Sequence, residues 1–271
     1  MVIIYNINKK TKNIKGVTYM KRLEGKIALV TSGTRGIGLQ TVKTLAANGA
    51  TVYIGARRLD AAQEICEELE VDNYKAKPVY FDATKEETYK TMVEEVIKDA
   101  GRIDILVNNH AVQFVQNSIL DITSEQLDLT FRTNVYPFFY MTKAALKYLK
   151  RGAAIINTTS ITAYQGEPLL IDYSATKGAI LTFTRSLSQS LIKEGIRVNA
   201  VAPGPIWTPL IPASYSAEQV ETFGSGTSSV PMDRAGQPFE VATSYVFLAS
   251  DDSRYMSGQV LHPNGGTIVG S

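Results

Sequence analysis

The arrangement with the clearest chemistry in this 271-residue chain is Tyr173-Ser174-Ala175-Thr176-Lys177. On a helix, residues at i and i+4 share a face and their side chains meet. An ammonium beside a phenol favours the phenolate and lowers the phenol pKa from about 10. A tyrosine tuned in this way can give a proton to a carbonyl oxygen, or take one from an alcohol, near neutral pH. By itself Tyr-x-x-x-Lys is a common surface pair, so its meaning depends on what stands beside it. Ser160 follows the apolar run Ala153-Ala154-Ile155-Ile156-Asn157, and the C-terminal end of such a strand would bring its hydroxyl next to Tyr173. Asn134, in Arg132-Thr133-Asn134-Val135, lies in the long helical region before that strand.

The elements that must position these groups follow from hydrophobic periodicity. Short β-rich apolar runs read as strands at residues 26–31, 51–54, 78–81, 103–107, 153–157 and 197–202. Helical spacing falls between them: 36–47 (stopped by Asn48-Gly49), about 60–69 with Asp60 as cap, 86–100, a long broken segment at 124–150, and 173–193. Strands alternating with helices mean βαβ units. The expected fold is α/β, one doubly wound Rossmann domain whose mostly seven-stranded parallel sheet is flanked by helices. No linker or repeat divides it, so the domain spans residues 20–271 behind an N-terminal extension, 1–19. That extension carries Lys9, Lys10, Lys12 and Lys15 and reads as a frayed leader or an upstream start ahead of Met20, with a basic recruitment tail as the alternative. Residues 203–238 are Pro-rich, lack strand patterning and follow the sixth strand. Long segments of this kind are functional or disordered, so a substrate lid and a plain surface loop are the two readings.

Composition bounds the rest. With 44% hydrophobic and 20% charged residues and a net charge of +2, the chain is neither disordered nor built for nucleic acid or an anionic membrane. No stretch approaches the roughly 20 apolar residues of a membrane span. A single cysteine, Cys66, excludes a disulfide scaffold and fits a reducing, cytoplasmic setting.

Thr31-Ser32-Gly33-Thr34-Arg35-Gly36-Ile37-Gly38 joins the first strand to the first helix. Glycines there let the backbone approach a pyrophosphate, and the helix N-terminus offers free N–H groups to the anion. The loop resembles the TGxxxGxG loop of short-chain dehydrogenases/reductases, with Ser32 where that family has its first glycine. Asn108-Asn109-His110-Ala111 matches the family's NNAG at both asparagines, and Pro203-Gly204-Pro205-Ile206-Trp207-Thr208 matches its PG-x-x-x-T. Asn134, Ser160, Tyr173 and Lys177 match its catalytic tetrad in order and spacing. The resemblance spans residues 23–268.

It implies a residue-by-residue reading. Tyr173 acts as general acid in reduction and general base in oxidation. Lys177 lowers its pKa and holds the nicotinamide ribose, Ser160 holds the substrate oxygen, and Asn134 orders a water that relays protons. The cofactor set is Ser32, Gly33, Thr34, Arg35, Gly36, Ile37, Gly38, Arg57, Arg58, Asp82, Asn108, Tyr173, Lys177, Pro203, Ile206 and Thr208. In it Asp82 meets adenine, and Ile206 and Thr208 meet the carboxamide. An NAD site usually places an acid after the second strand; here Arg57-Arg58 stand first, which suits a 2′-phosphate and points to NADP(H). The alternative for the two arginines is solvated helix-entry charges.

For the substrate, the N-terminal half resembles clostridial 7α-hydroxysteroid dehydrogenases and the C-terminal half resembles bacterial stress-associated members. Val112, Gln113, Phe114, Gln165, Trp207, Leu210, Ile211, Tyr215 and Phe223 are the pocket candidates, an apolar and aromatic set that suits a medium or large apolar alcohol or carbonyl. A hydroxysteroid or a sugar is the alternative substrate, and an NADP-binding redox sensor the alternative without catalysis. No metal, nucleic acid or membrane partner is expected. The resemblance implies a homotetramer or homodimer, for which Phe138-Phe139-Tyr140 reads equally as interface or core.

Overall fold

The computed structural model describes residues 21–226 and 230–270. The expected extension at 1–19 and residues 227–229 of the expected lid lie outside the described residues.

Seven parallel strands form one sheet in the order β3-β2-β1-β4-β5-β6-β7. They are β1 (Ile27–Thr31), β2 (Thr51–Ala56), β3 (Lys75–Tyr80), β4 (Ile103–Asn108), β5 (Leu149–Thr158), β6 (Arg197–Val201) and β7 (Val260–Leu261). The helices are α1 (Gly36–Ala47), α2 (Leu59–Val71), α3 (Glu87–Ala100), α4 (Ser124–Asn134), α5 (Tyr136–Leu146), α6 (Thr162–Gln165), α7 (Ile171–Leu191), α8 (Leu210–Ser214), α9 (Ala217–Glu221) and α10 (Pro238–Ala249).

Strand residues alternate between two buried cores, which explains why the strands read as unbroken apolar runs. Ala28, Val30, Val52, Ile54, Ile105 and Val107 face one layer, with Val42 and Leu45 of α1 and Val241 and Tyr245 of α10. Leu29, Tyr53, Ile103 and Leu106 face the other, with Met92 and Val96 of α3 and Met141 of α5. Both faces are covered by helices, as the sequence pattern expects. Strand order reverses between β1 and β4, where open α/β sheets bind ligands at the strands' C-terminal ends.

The long helical segment is broken as expected; its end and the cap of α2 are corrected, and β7 and the aromatic triplet are placed. The 124–150 segment divides at Val135, with Pro137 in the first turn of α5, and its last residues belong to β5. Pro137 has no N–H to continue the helical ladder, so a new helix starts there. Asp60 does not cap α2: Arg58 holds the N-cap position without a side-chain bond, and Asp60 sits in the first turn. The two-residue β7 is too short to show a period, and it is held by Ala200 N donating to Gln259 O (2.9 Å) and Ala202 N donating to Leu261 O (2.8 Å). Phe138 is wholly buried whereas Phe139 is 46% exposed, so the aromatic triplet is part core and part surface. Among the described residues no helix is long and apolar enough to cross a membrane.

Candidate active site

The glycine loop connects β1 to α1 at the switch point. α1 starts after Arg35, which makes no side-chain cap, and its first turn holds no acid. The first N–H groups of α1 and its positive dipole end are therefore available to an anion. Gly38 packs where no side chain fits: a Cβ would lie 2.3 Å from Ser32 O and 2.5 Å from Asn109 Nδ2. A Cβ on Gly33 would meet Ile54 and Val42 at 2.9 Å, so this glycine lets helix and strand close on each other. Gly36 (φ +49°) faces Thr208, at 3.2 Å from a Cβ built there, which brings the glycine loop against the Pro203–Thr208 segment. Thr34 and Ile37 are half-buried along the same turn. Ser32 adopts φ +53°, the left-handed region that the replaced glycine would enter freely.

The arginines after β2 divide. Arg58 pairs with Asp60 at 2.9 Å in the first turn of α2, and this Asp60 hydrogen bond raises the Arg58 pKa. Arg57 and Arg35 are exposed and have no ion pair among the described residues. Asp82, at the end of β3, accepts from Thr84 N (3.0 Å) and Thr84 Oγ1 (2.8 Å). Burial pushes its carboxyl up, but the two Thr84 bonds and the nearby Arg57 charge outweigh that and hold it below the ordinary value. Arg57 and Asp82 thus share one rim of the crevice. Asn108 takes another place than its sequence motif suggests. Its side chain is wholly buried, and Nδ2 donates to Asn157 Oδ1 (2.9 Å), whose own Nδ2 donates to Thr184 Oγ1 (2.9 Å). It ties β4 to β5 and is wholly shielded from the crevice.

The tetrad assembles from three elements. Ser160 lies just past β5, where β5 and β6 lead the chain upward side by side: Thr159 N donates to Val201 O and Ile161 N to Pro203 O, both at 2.9 Å. Tyr173 and Lys177 lie on the first two turns of α7, with the Lys177 ammonium 5.4 Å from the Tyr173 ring centre. The Ser160 hydroxyl accepts from Thr162 N at 3.2 Å and lies close enough to the Tyr173 hydroxyl to lower its pKa. Lys177 is 1% exposed, and its Nζ donates to Thr158 O at 3.0 Å. The Thr158 hydroxyl is 2.7 Å from Tyr245 Oη, which anchors that strand end to α10. Asn134, the last residue of α4, clamps the chain after β4: Oδ1 accepts from Val112 N and Nδ2 donates to Val112 O, both at 2.8 Å.

Electrostatics reverse one expectation. Burial pushes the Tyr173 phenol up to about 12; the nearby Ser160 hydroxyl pulls it down but does not overcome burial. Burial likewise pushes the Lys177 ammonium down to about 7. Desolvation disfavours both charged forms, and it exceeds the stabilisation that an ammonium gives a phenolate in water.

Thr158 and Tyr245 support Lys177 through a carbonyl and a hydroxyl that no motif in the sequence marks. His110 is a packed residue: its Nδ1 is 3.0 Å from Thr31 Oγ1, its ring lies between Phe81 and Phe138, and burial pushes its pKa down to about 3. Above the tetrad, Ile206 and Gly236 bridge, and Trp207 N donates to Gly236 O at 2.9 Å. Trp207 and Tyr215 converge on Phe223 at 6.3 and 5.7 Å between ring centres, and the Tyr215 phenol acts on that of Tyr173. The 203–238 segment therefore carries two short helices, α8 and α9, beside Tyr173.

A family model described as enoyl-(acyl carrier protein) reductase matches residues 32–267. An oxidoreductase of Bacillus subtilis, YhxC, is 56% identical over 250 residues, covering 92% of this chain and 87% of that protein. The glucose and ribitol dehydrogenase of Daucus carota is 51% identical over 255 residues, with 92% and 87% covered. A crystal structure of a short chain dehydrogenase from Burkholderia cenocepacia in complex with NADP superposes with a TM-score of 0.82 at 31% identity, covering 90% of this chain and 98% of that one.

Proposed function

Since the chain belongs to the short-chain dehydrogenase/reductase family of oxidoreductases, we propose that it interconverts an alcohol and its carbonyl compound with NADP(H), using Tyr173 as the proton-transferring group. The observation that carries this reading is the convergence of Ser160, Tyr173 and Lys177 beside a glycine loop whose helix N-terminus is open to a pyrophosphate. The residues present fit such a cofactor. Gly33 and Gly38 let α1 close on the sheet and Gly36 turns the chain into it, so the helix N-terminus stands at the switch point, and Arg35 and Arg57 are exposed and able to meet a 2′-phosphate. The complex of the Burkholderia cenocepacia relative with NADP supports the same choice. When bound, the nicotinamide supplies the hydride.

In reduction, Ser160 holds the substrate oxygen and Tyr173 hands its proton to that oxygen as charge develops there. With its phenol pushed up to about 12, Tyr173 is protonated at neutral pH and is loaded for this direction. Lys177, held on Thr158 O, lies close enough to Tyr173 to steady the phenolate left behind. Trp207, Tyr215 and Phe223 give the pocket an aromatic wall, which suits a medium or large apolar carbonyl. A sugar or polyol is the second reading. It is favoured by the name of the Daucus carota relative, and by Gln113, whose buried Nε2 has no partner among the described residues. The exposed Tyr136, Phe139 and Ile171 of α5 and α7 support assembly with further copies, tested by light scattering. The lone Cys66 is buried and its thiol is pushed up to about 11 by burial, which suits a reducing cytoplasm.

The test is a panel of a bile acid, an aryl ketone, glucose and ribitol, assayed with NADPH or NADP+ against NADH or NAD+. Turnover of the apolar compounds with the phosphorylated cofactor is expected. Equal or better use of NADH defeats the cofactor choice, and turnover of glucose and ribitol alone defeats the apolar pocket.

A further inference from the structure

A line of polar side chains joins α4 to α7 directly under the tetrad. Gln126, Thr130 and Asn134 are spaced by four on α4, and Asp172 and Thr176 by four on α7, so each set forms one stripe. Thr130, Asn134, Asp172 and Thr176 are all buried, at 2% exposure or less. Gln126 Nε2 donates to Asp172 Oδ2 at 3.0 Å, and the Thr130 hydroxyl lies 2.8 Å from the same oxygen. Asn134 Nδ2 donates to Thr176 Oγ1 at 3.2 Å, and that hydroxyl donates to the carbonyl of Tyr173 at 2.6 Å. The second oxygen of Asp172 accepts from the N–H of Tyr173 itself at 2.8 Å. The N-cap residue of α7, Leu170, offers no side-chain bond, so this N–H would otherwise be one of the helix's orphan donors.

Both backbone polar groups of Tyr173 are therefore held by the seam, one by Asp172 and the other by Thr176. Among the described residues Asp172 has no cationic partner. A carboxylate buried without a counter-charge is costly to keep. Its three hydrogen bonds and its place in the first turn of α7, at the positive end of the helix dipole, offset part of that cost.

We propose that Asp172 is a positioning residue for proton transfer: by docking the start of α7 on α4 it fixes where the Tyr173 hydroxyl stands relative to Ser160 and Lys177. This rests on the reading of Tyr173 given above. A misplacement of about 1 Å costs up to about a hundredfold in rate, so a loose α7 start lowers kcat and spares cofactor binding, which depends on the other end of the crevice. The test compares Asp172→Ala, Asp172→Asn and Tyr173→Phe in the full chain, with a turned-over carbonyl and NADPH. Asp172→Ala should lower kcat at least tenfold, leave the dissociation constant for NADPH within about twofold, and raise the solvent isotope effect on kcat as proton transfer becomes slower. Asp172→Asn keeps an acceptor for the Tyr173 N–H and should recover part of the loss. If Asp172→Ala does not fold, Thr130→Val reads the same seam and should show the same split with a smaller fall. A kcat within twofold of the parent, or a fall matched by lost NADPH affinity with an unchanged isotope effect, overturns the proposal while Tyr173→Phe stays inactive. Activity retained by Tyr173→Phe overturns the underlying reading instead.

Discussion

The two sides of the crevice are built by different means. On the side of β1, β2 and α1, the chain shapes a ligand site with backbone: glycines at 33, 36 and 38, a bare helix end, and two exposed arginines, Arg35 and Arg57, that make no ion pair among the described residues. On the side of β5, α4 and α7 it uses side chains that are buried and bonded across long sequence distances, such as Lys177 on Thr158 O, Asn134 on Val112 and Asp172 on Thr130. The first kind of site tolerates a ligand of variable body, because N–H groups and guanidiniums recognise only phosphate. The second fixes single atoms, as proton transfer demands. Damage to the two sides should therefore register in different constants: KM for the cofactor on one, kcat on the other.

The largest separation is expected from Tyr173→Phe. Losing the proton donor should reduce kcat by about 10²–10⁴-fold, with NADPH affinity measured by fluorescence titration nearly unchanged. A large loss of NADPH affinity in this variant would show that the two sides are not independent.

Next in size is the mirror-image change. Arg57→Ala should weaken NADPH by about 1.5–3 kcal/mol, the worth of a hydrogen bond to a charged group, and leave kcat with saturating NADPH and the use of NADH alone. Arg58→Ala should do much less, because Arg58 is already engaged by Asp60. Equal effects of the two substitutions would remove the distinction drawn between the arginines.

This contrast also explains what could be read from the residues in order. Strands 26–31, 51–54 and 103–107 and the glycine loop are local patterns, and the structure places them as the periodicity expects. Tyr173 and Lys177 were legible because one helical turn links them, and Ser160 because it follows a buried strand. Asn134 was found through resemblance, yet its contacts with Val112 and Thr176 were not legible, since nothing local marks which helix faces which. The same holds for Asp172, whose partners lie 42 and 46 residues away. Burial accounts for the misread pKa: pairing of Tyr173 with Lys177 is visible in the spacing, but the desolvation that outweighs it exists only in the folded chain.

That desolvation has a signature in stability. Unfolded lysine titrates near 10.4, and folded Lys177 at about 7. Between these values the unfolded chain binds the extra proton, so stability rises with pH across that window and is lost as pH falls toward 7. Tyr173 and Tyr215, both pushed up to about 12 by burial, act oppositely: their contribution is complete below about pH 10 and is lost as pH climbs through the folded value. Urea midpoints should therefore increase from pH 7 to about 8.5, level off where the buried Cys66 thiol, pushed up to about 11, opposes Lys177, and decline above about pH 10. Lys177→Met should flatten the rising limb and keep the alkaline decline. An unaltered rising limb in that variant would mean the lysine is not the group being desolvated.

The smallest effect belongs to the backbone-built side. Ser32 holds φ +53° where the family loop has glycine. A left-handed conformation costs an L-residue about 1–2 kcal/mol, while a glycine's greater freedom in the unfolded chain costs about 0.5–1 kcal/mol. Ser32→Gly should therefore be more stable by roughly 0.5–1 kcal/mol, read as a rise of a few degrees in Tm, with kcat unchanged. The serine Cβ is then a strain that the glycine loop tolerates because its contacts are made by main chain, on which the identity of one side chain has little hold. A comparable change in kcat would tie this loop to proton transfer and erase the division between the two sides of the crevice.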